Sequence, residues 1–367
     1  MRLNLMKKTA IYSMLFSAAA LGVIFYAASN QVIAAPEVVQ DELWLDNVAG
    51  NAQATGLDDV SGQSGDRWSL DGAGHQLTFS TGSSQTSYLC IPLPQGTVAD
   101  KVTIENHYMD EEMWVVVDET ADEFYETAVI SGNRSFVEQG IYETDGGQAI
   151  LKFSLTDIFE YRSILEEDQL YVEFVPPREM YERIIVIDPA FGGSETGHEG
   201  NGMAEKDIVL AIAARVKERL DAEDIKVYYT RMDDNDLSED RRVRIANNTK
   251  ADLLIRIEAD AADDSLVHGT TAVYNEDFFI PGFGSIELAD ALERSVVSNI
   301  RGKAVGLVAA GEGDYVIRQA TVPAAAIRVG YLTNTQEAIL LQKEDYLDKI
   351  AEGIYQAIME VYGEDEE

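Results

Sequence analysis

The pattern of apolar and polar residues changes near the middle of the chain. Between residue 37 and Pro177, apolar residues alternate with polar ones in short segments. In "KVTIENHY", for example, Val102 and Ile104 share one face. Glycine-containing turns such as "DGAG" and "DGG" separate these segments. Short alternating strands between turn signals predict an antiparallel β-sandwich.

After Arg183 the pattern becomes one of apolar strands that alternate with helices. Apolar residues four apart, at Ile208, Ile212, Val216 and Leu220, predict a helix after the first strand. The predicted strands are "RIIVID", "KVYYTR", "LLIRIE", "GTTAVY", "DYVIRQ" and "AAAIRVGY". This half is therefore predicted to be an α/β domain, with a mostly parallel sheet flanked by helices. Sites in such sheets lie beyond the carboxyl ends of the strands.

The boundary between the two patterns lies at a pair of prolines, Pro176 and Pro177. Proline cannot donate a hydrogen bond to a neighbouring strand, so the last strand of the sandwich ends there. We predict a β-sandwich domain at residues 37–178, an α/β domain at residues 182–363 and an acidic tail at residues 364–367.

The first 36 residues combine basic residues with an apolar run. Arg2, Lys7 and Lys8 precede the run from Thr9 to Ala28, and the first acidic residue is Glu37. This composition predicts an export signal, which is either cleaved or retained as a membrane anchor. The basic residues place the N-terminus inside and the rest of the chain outside. We therefore expect the protein at the extracytoplasmic face of the membrane or in the cell wall, touching the membrane only through this segment.

The charge of the chain excludes one class of partner. The sequence has 65 acidic and 28 basic residues, which gives a net charge of −37 at pH 7. Because a phosphate backbone must be met by Lys and Arg, nucleic acid is not an expected partner. Cys90 is the single cysteine, so no disulfide can form within the chain.

The second half carries a specific resemblance. Four segments follow one another between Ile184 and Tyr362: "VIDPAFGG", "NGMAEKDIVLAIAARVKERL", "YTRMDDNDLSEDRRVRIANNTKADLLIRIEADA" and "DYVIRQATVPAAAIRVGYLTN". In order and spacing they resemble the zinc-dependent N-acetylmuramoyl-L-alanine amidases of bacterial cell walls. The resemblance implies an amidase-like fold for this half and a wall-targeting role for the β-sandwich. It also implies peptidoglycan, or another envelope protein, as the partner.

The resemblance assigns four positions to a metal site. In this family two histidines and one glutamate hold a zinc ion, and a separate glutamate moves protons. The family motif "DPGHGG" reads "DPAFGG" here, which puts Phe191 at the first histidine position. The motif "SIHAN" reads "RIEAD", which puts Glu258 at the second. Glu205 retains the glutamate ligand position, and Arg328 stands at the catalytic glutamate position.

These replacements predict that zinc-dependent hydrolysis is lost. Phenylalanine has no lone pair for a metal, and a guanidinium stays protonated and cannot act as a base. We expect Arg328 to occupy the place of the metal electrostatically, paired with Glu258 and with Glu205 as a second candidate partner. Arg256 lies two positions before Glu258 on one strand, faces the same side and is a candidate for the same cluster. Glu205 is equally compatible with an ordinary acidic residue in a first helical turn.

Three functions remain open at this point. The first is a catalytically inactive protein without a cofactor, which binds peptidoglycan or regulates or scaffolds wall hydrolysis. The second is an active amidase whose zinc is held by Glu205, by Glu258 as a substitute ligand and by His198 as a rescue ligand. The third is a purely structural envelope protein. An open cleft with polar walls favours binding, whereas a cleft filled by Phe191 and Arg328 favours a structural role.

Three further features have simpler interpretations. The spacing of Asp233, Asp234 and Asp236 is similar to that of a calcium loop, but the glycine and the terminal glutamate of such a loop are missing. The segment "DRRVRIAN" predicts ion pairs on a helix surface. Trp68 and Trp114 are predicted to pack on a sheet, with an exposed platform for sugar as the alternative.

Overall fold

The computed structural model describes residues 74–81, 86–277, 279 and 281–364. The export segment predicted at residues 1–36 and the side chain of Trp68 lie outside this part of the chain. Contacts between residues divide the chain into two compact units, and the boundary in the sequence lies between Val175 and Pro176. Within the described ranges, no helix has both the length and the apolar character needed to cross a membrane.

The first unit contains two five-stranded sheets. One has the strand order β1-β7-β8-β5-β4 and is antiparallel throughout, and the other has the order β2-β6-β3-β10-β9, with β2 and β6 parallel. One buried core collects side chains from both sheets, among them Val115 and Leu89. The elements are β1 (His75–Gln76), β2 (Thr78–Phe79), β3 (Tyr88–Pro92), β4 (Val102–His107), β5 (Glu112–Asp118), α1 (Phe124–Thr127), β6 (Val129–Gly132), β7 (Val137–Asp145), β8 (Gln148–Leu155), β9 (Glu160–Glu166) and β10 (Gln169–Val175).

The alternation of apolar residues explains this arrangement. In β5, Met113, Val115 and Val117 are buried, whereas the residues between them are only partly buried. Side chains at every second position of a strand share a face, so such a strand buries one side against the opposite sheet. The predicted antiparallel β-structure of this half is confirmed.

Trp114 lies on the outer face of its sheet and is packed by its neighbours. The His107 ring stacks on it at 4.0 Å between centroids, and Lys152 Nζ lies 4.4 Å from the ring centroid. These two residues come from β4 and β8, the strands on either side of β5. The indole Nε1 donates to Glu112 at 2.7 Å. This geometry fits the packing interpretation, because side chains from both neighbouring strands cover the ring.

The second unit is built on a six-stranded sheet with the order β14-β11-β15-β18-β16-β17. The first four strands are parallel, and β16 runs antiparallel to β18. The sheet strands are β11 (Ile184–Pro189), β14 (Lys226–Tyr229), β15 (Leu253–Asp260), β16 (Thr270–Tyr274), β17 (Ala304–Ala309) and β18 (Ala324–Tyr331), and β12 (Glu199–Gly200) and β13 (Met203–Ala204) form a separate hairpin. The helices are α2 (Pro177–Met180), α3 (Glu205–Leu220), α4 (Glu239–Thr249), α5 (Ser285–Ile300), α6 (Tyr315–Gln319), α7 (Thr335–Leu341) and α8 (Glu344–Glu364).

The two faces of this sheet carry different residues. Along β15, Ile255 and Ile257 point into the apolar core that also contains residues of α3, α5 and α8. Arg256 and Glu258 alternate with them, so they point to the opposite face. The short helices α4 and α6 contact each other beside that second face. The mostly parallel sheet flanked by helices is confirmed, and the charged residues of β15 lie on the face of the sheet opposite the apolar core.

The strand predicted for "DYVIRQ" is wrong. This segment forms α6, in which the amide of Arg318 donates to the carbonyl oxygen of Asp314 at 3.0 Å. The sheet is completed instead by β17, from the segment "AVGLVA". Periodicity alone cannot assign a segment with so short an apolar run to a helix or to a strand.

Candidate functional site

The register of three parallel strands brings the predicted site residues together. Asp188 of β11 lies directly opposite Arg256 of β15, and Glu258 of β15 lies directly opposite Arg328 of β18. Arg256 and Glu258 are two residues apart on one strand and therefore share a face. Opposite charges thus alternate across the sheet near the carboxyl ends of the strands, where sites in such sheets form.

Arg328 is surrounded by three carboxylates. Its Nε lies 3.0 Å from Glu258 Oε2, and its Nη2 lies 2.5 Å from Asp314 Oδ1. Its Nη1 lies 3.9 Å from Asp260 Oδ2. Burial disfavours the charged guanidinium, but Glu258 and Asp314 outweigh this effect and raise the pKa of Arg328 above its ordinary value. The structure therefore brings Arg328 and Glu258 together as an ion pair.

Glu258 is held between two arginines. Arg256 Nε lies 2.7 Å from Glu258 Oε1, while Arg328 contacts the other carboxylate oxygen. The residue is only 8% exposed. Burial alone favours the protonated acid, but Arg256 and Arg328 favour the carboxylate, and the pKa of Glu258 falls below its ordinary value. Both oxygens of this carboxylate are therefore occupied by guanidinium groups.

The ionic network continues into the interior through Asp188. This carboxylate is fully buried, and it accepts hydrogen bonds from Arg256 Nη1, from Arg242 Nη1 at 2.5 Å and from Thr230 Oγ1 at 2.5 Å. Burial raises the pKa of Asp188, but Arg242 and Arg256 outweigh it and hold this pKa well below its ordinary range. We call the chain of six ion-paired residues the arginine ladder. Its members, in order, are Arg242, Asp188, Arg256, Glu258, Arg328 and Asp314.

Three members of the arginine ladder were not predicted from the sequence. Arg242 belongs to "DRRVRIAN", for which surface ion pairs were expected, but it is 1% exposed and points into the protein. Asp314 lies in the segment that was wrongly predicted to be a strand. Asp188 belongs to the quoted motif "DPAFGG", which gave no sign of a partner. A buried carboxylate or guanidinium needs a counter-ion, so the partners become evident once burial is known.

Glu205 does not take part in the arginine ladder. It is fully buried at the first position of α3. Its Oε1 accepts the amide of Ala259 at 2.7 Å, and its Oε2 accepts the amide of His198 at 2.9 Å and contacts His198 Nδ1 at 2.7 Å. Glu205 therefore does not pair with Arg328, the candidate partner named from the sequence, because these donors occupy both oxygens of its carboxylate. The hydrogen bond to Glu205 raises the pKa of His198.

Phe191 lines an open cavity beside the arginine ladder. Its backbone has a φ of 59°, a left-handed conformation that is uncommon for a bulky residue. The Arg256 guanidinium carbon lies 5.7 Å from the centroid of its ring. The cavity has a volume of about 520 Å³ and is lined by Phe191, Glu195, Gly197, His198 and Glu239. Three of the five lining residues have polar side chains, and Phe191 does not fill the cleft.

Two of the three grouped aspartates fix the loop that follows Phe191. Asp234 accepts the amide of Gly193 at 2.8 Å and pairs with Lys206 at 2.8 Å. Asp236 accepts both the amide and the hydroxyl of Ser194 at 2.7 Å. Because these carboxylates are hydrogen-bonded to the loop, they act as anchors for it.

The donor set does not fit the zinc site that the resemblance implies. Phe191 offers no donor atom, Arg328 brings a positive charge, and both oxygens of Glu258 are ion-paired. Glu205 and His198 are in contact, but three protein ligands are usual for a catalytic zinc. In residues 74–81, 86–277, 279 and 281–364, no group of three or more His, Cys, Asp or Glu residues could hold a metal ion.

Comparison with known proteins identifies the family. A family model described as N-acetylmuramoyl-L-alanine amidase matches residues 185–360. The germination-specific N-acetylmuramoyl-L-alanine amidase of Bacillus subtilis is 31% identical over 196 residues, which cover 50% of this chain and 81% of that protein. The chain therefore belongs to the N-acetylmuramoyl-L-alanine amidase family of cell-wall proteins.

Other similar proteins match about half of the chain. The N-acetylmuramoyl-L-alanine amidase LytC of Bacillus subtilis is 30% identical over 178 residues, which cover 48% of this chain but only 35% of LytC. A solved N-acetylmuramoyl-L-alanine amidase structure from Clostridium difficile 630 has 31% identity and a TM-score of 0.47, covering 49% of this chain and 97% of that one. The family match from residue 185 onwards lies within the second unit.

Proposed function

We propose that this protein is an exported, wall-associated member of the amidase family that binds peptidoglycan without cleaving the muramoyl–L-alanine bond. By binding, it regulates or scaffolds wall hydrolysis by other proteins. The observation that carries this proposal is the pairing of both Glu258 oxygens with Arg256 and Arg328, at the position of a family zinc ligand. We further propose that the segment at residues 1–36 directs export and that the β-sandwich targets the wall.

The chemistry of these residues supports the absence of hydrolysis. A zinc ion bound at Glu258 would have to displace two guanidinium groups from a carboxylate that is 8% exposed. Separating one partner from a buried ion pair costs about 3–5 kcal/mol, because the remaining charge is left uncompensated. Arg328 cannot accept a proton in place of the family glutamate, because guanidinium remains protonated at any physiological pH.

The open cleft supports binding over a purely structural role. Its cavity of about 520 Å³ falls within the range of about 300–1,000 Å³ that is typical of ligand pockets. Glu195 and His198 are exposed in its wall and can contact a ligand. The relatives named as N-acetylmuramoyl-L-alanine amidases support a muramoyl peptide as the class of ligand.

Cleavage and binding can be measured on one sample of the full chain, purified in detergent. The proposal predicts co-sedimentation with purified peptidoglycan sacculi and no release of stem peptides after long incubation. Release of stem peptides contradicts the proposal and favours an active site rebuilt from Glu205, Glu258 and His198, in which case His198→Ala should abolish the release. If the protein neither binds nor cleaves the sacculi, the result favours a structural envelope protein.

A further inference from the structure

The guanidinium of Arg328 has donors that the protein does not use. Arginine carries five N–H groups in a fixed plane. Nε is directed at Glu258 and Nη2 at Asp314, but Nη1 lies 3.9 Å from Asp260, beyond hydrogen-bonding distance. Both N–H groups of Nη1 are therefore without a hydrogen-bond acceptor in the part of the chain that the structure describes. The side chain is 26% exposed, so a ligand can reach these donors.

The position of this guanidinium is fixed before any ligand binds. Glu258 and Asp314 are largely buried, with side-chain exposures of 10% and 11%. They pair with two different nitrogens of the planar, rigid guanidinium group. The conformational entropy that a long side chain normally loses on binding has thus already been lost on folding. A pre-positioned donor of this kind is well suited to bind an oxygen atom of a ligand.

The charges around Arg328 determine which kind of ligand oxygen it can bind. Three carboxylates, Glu258, Asp260 and Asp314, surround this one guanidinium. An anionic ligand group at Nη1 would lie beside Asp260, and two like charges at such a distance repel each other. A neutral carbonyl oxygen accepts the same hydrogen bonds without this repulsion.

We infer that Arg328 is a ligand-contacting residue whose Nη1 group donates to a neutral amide carbonyl oxygen of the bound ligand. The inference rests on the proposed binding function, and it specifies the chemical group of the ligand that Arg328 contacts. The ligand class is an amide-linked muramoyl peptide, and a free carboxylate at the same position is disfavoured.

The first test measures the affinity of the full chain for N-acetylmuramoyl-L-alanyl-D-isoglutamine by calorimetry in detergent. Arg328→Met should weaken binding by roughly tenfold or more, because a charge-assisted hydrogen bond to the ligand is lost. Arg294→Met is the matched control, since Arg294 is also ion-paired, to Glu360 at 2.6 Å, but lies on α5 and is 54% exposed. If Arg328→Met is unfolded in a thermal melt, the double variant Arg328→Met/Asp314→Asn removes the charge that the first substitution leaves unpaired, and it should show the same loss of binding.

The second test examines the charge argument with N-acetylmuramic acid, which has a free carboxylate in place of the amide. Asp260→Asn should strengthen the binding of N-acetylmuramic acid several-fold relative to the amide probe, an effect that a merely structural role of Arg328 does not produce. Equal effects on the two probes would overturn the choice of a neutral acceptor.

The outcomes separate this inference from the proposed function. If the wild-type chain binds the amide probe and Arg328→Met binds it equally well, the inference is wrong while the proposed function stands. If the wild-type chain binds neither the probe nor sacculi, the proposed function fails and the inference fails with it.

Discussion

Substituting Arg256 by methionine tests the arginine ladder at its centre. Arg256 contacts both Asp188 and Glu258, and its side chain is 5% exposed. Methionine has a similar length and no charge, so the main effect of the change is the loss of the two ion pairs. Each carboxylate keeps one other arginine, which is Arg242 for Asp188 and Arg328 for Glu258.

The size of the expected effect follows from burial. Breaking a buried ion pair by removing one partner destabilises a protein by about 3–5 kcal/mol. Because both carboxylates retain a second counter-ion, we expect Arg256→Met to lower the free energy of unfolding by about 3 kcal/mol. The exposed control Arg294→Met removes its ion pair with Glu360 and should cost less than about 1 kcal/mol.

The distribution of residues allows the two units to be followed separately. All three tryptophans, Trp44, Trp68 and Trp114, lie before residue 176. All described α-helices except the four-residue α1 lie in the second unit. In a urea titration, circular dichroism at about 222 nm therefore reports mainly on the second unit, and tryptophan fluorescence on the first half of the chain.

Arg256→Met should shift the circular dichroism transition to lower urea and leave the fluorescence transition in place. A circular dichroism midpoint equal to that of the wild type would refute the reasoning, because it would mean that the ladder contributes nothing to the stability of this unit. Equal shifts of both transitions would mean that the two units do not unfold independently, and the assignment of the effect to the ladder would be lost.

Two further predictions concern acid and the loop after Phe191. The pKa values of Asp188 and Glu258 are lowered from ordinary values of 3.8 and 4.5, so their contribution to stability is present above those values and is lost as the pH falls. The urea midpoint measured by circular dichroism should therefore decrease below about pH 4.5, and this decrease should be smaller in Arg256→Met than in the wild type. A wild-type midpoint that stays constant down to about pH 3 would contradict this prediction. Gly197 has a φ of 68°, and an added Cβ would lie 2.5 Å from the Phe191 ring and 2.7 Å from Glu205 Oε2. In the same urea titration, Gly197→Ala should lower the free energy of unfolding by more than about 3 kcal/mol. Gly202 has a φ of 76° and open space around an added Cβ, so Gly202→Ala should lower it by only about 1–2 kcal/mol. Equal decreases for the two variants would show that the loop is not tightly packed at Gly197.

The sequence was sufficient for those features that depend on local pattern. Alternation predicted the strands of the first unit, and apolar residues four apart predicted α3, because these periods depend only on backbone geometry. The family motifs placed Phe191, Glu205, Glu258 and Arg328 in one site. Chemistry then suggested that an arginine near a buried carboxylate would pair with it.

The remaining features depend on contacts between distant parts of the chain. Asp188 and Arg242 are 54 residues apart, and no local pattern marks them as partners. Asp314 reaches Arg328 because its segment turns into α6 and does not continue as a strand. Glu205 contacts His198 and not the candidate partner Arg328, because the loop before α3 folds back and supplies His198.

The most direct test of the central claim is the zinc content of the full chain, measured by elemental analysis after purification in zinc-containing buffer. The wild-type chain is compared with the triple variant Phe191→His/Glu258→His/Arg328→Glu, which restores the family residues at the three changed positions. We predict much less than one zinc ion per wild-type chain, and a clear gain in the triple variant. One zinc ion per wild-type chain, together with cleavage of muramoyl peptides, would contradict the account, because it would mean that the arginine ladder does not exclude the metal.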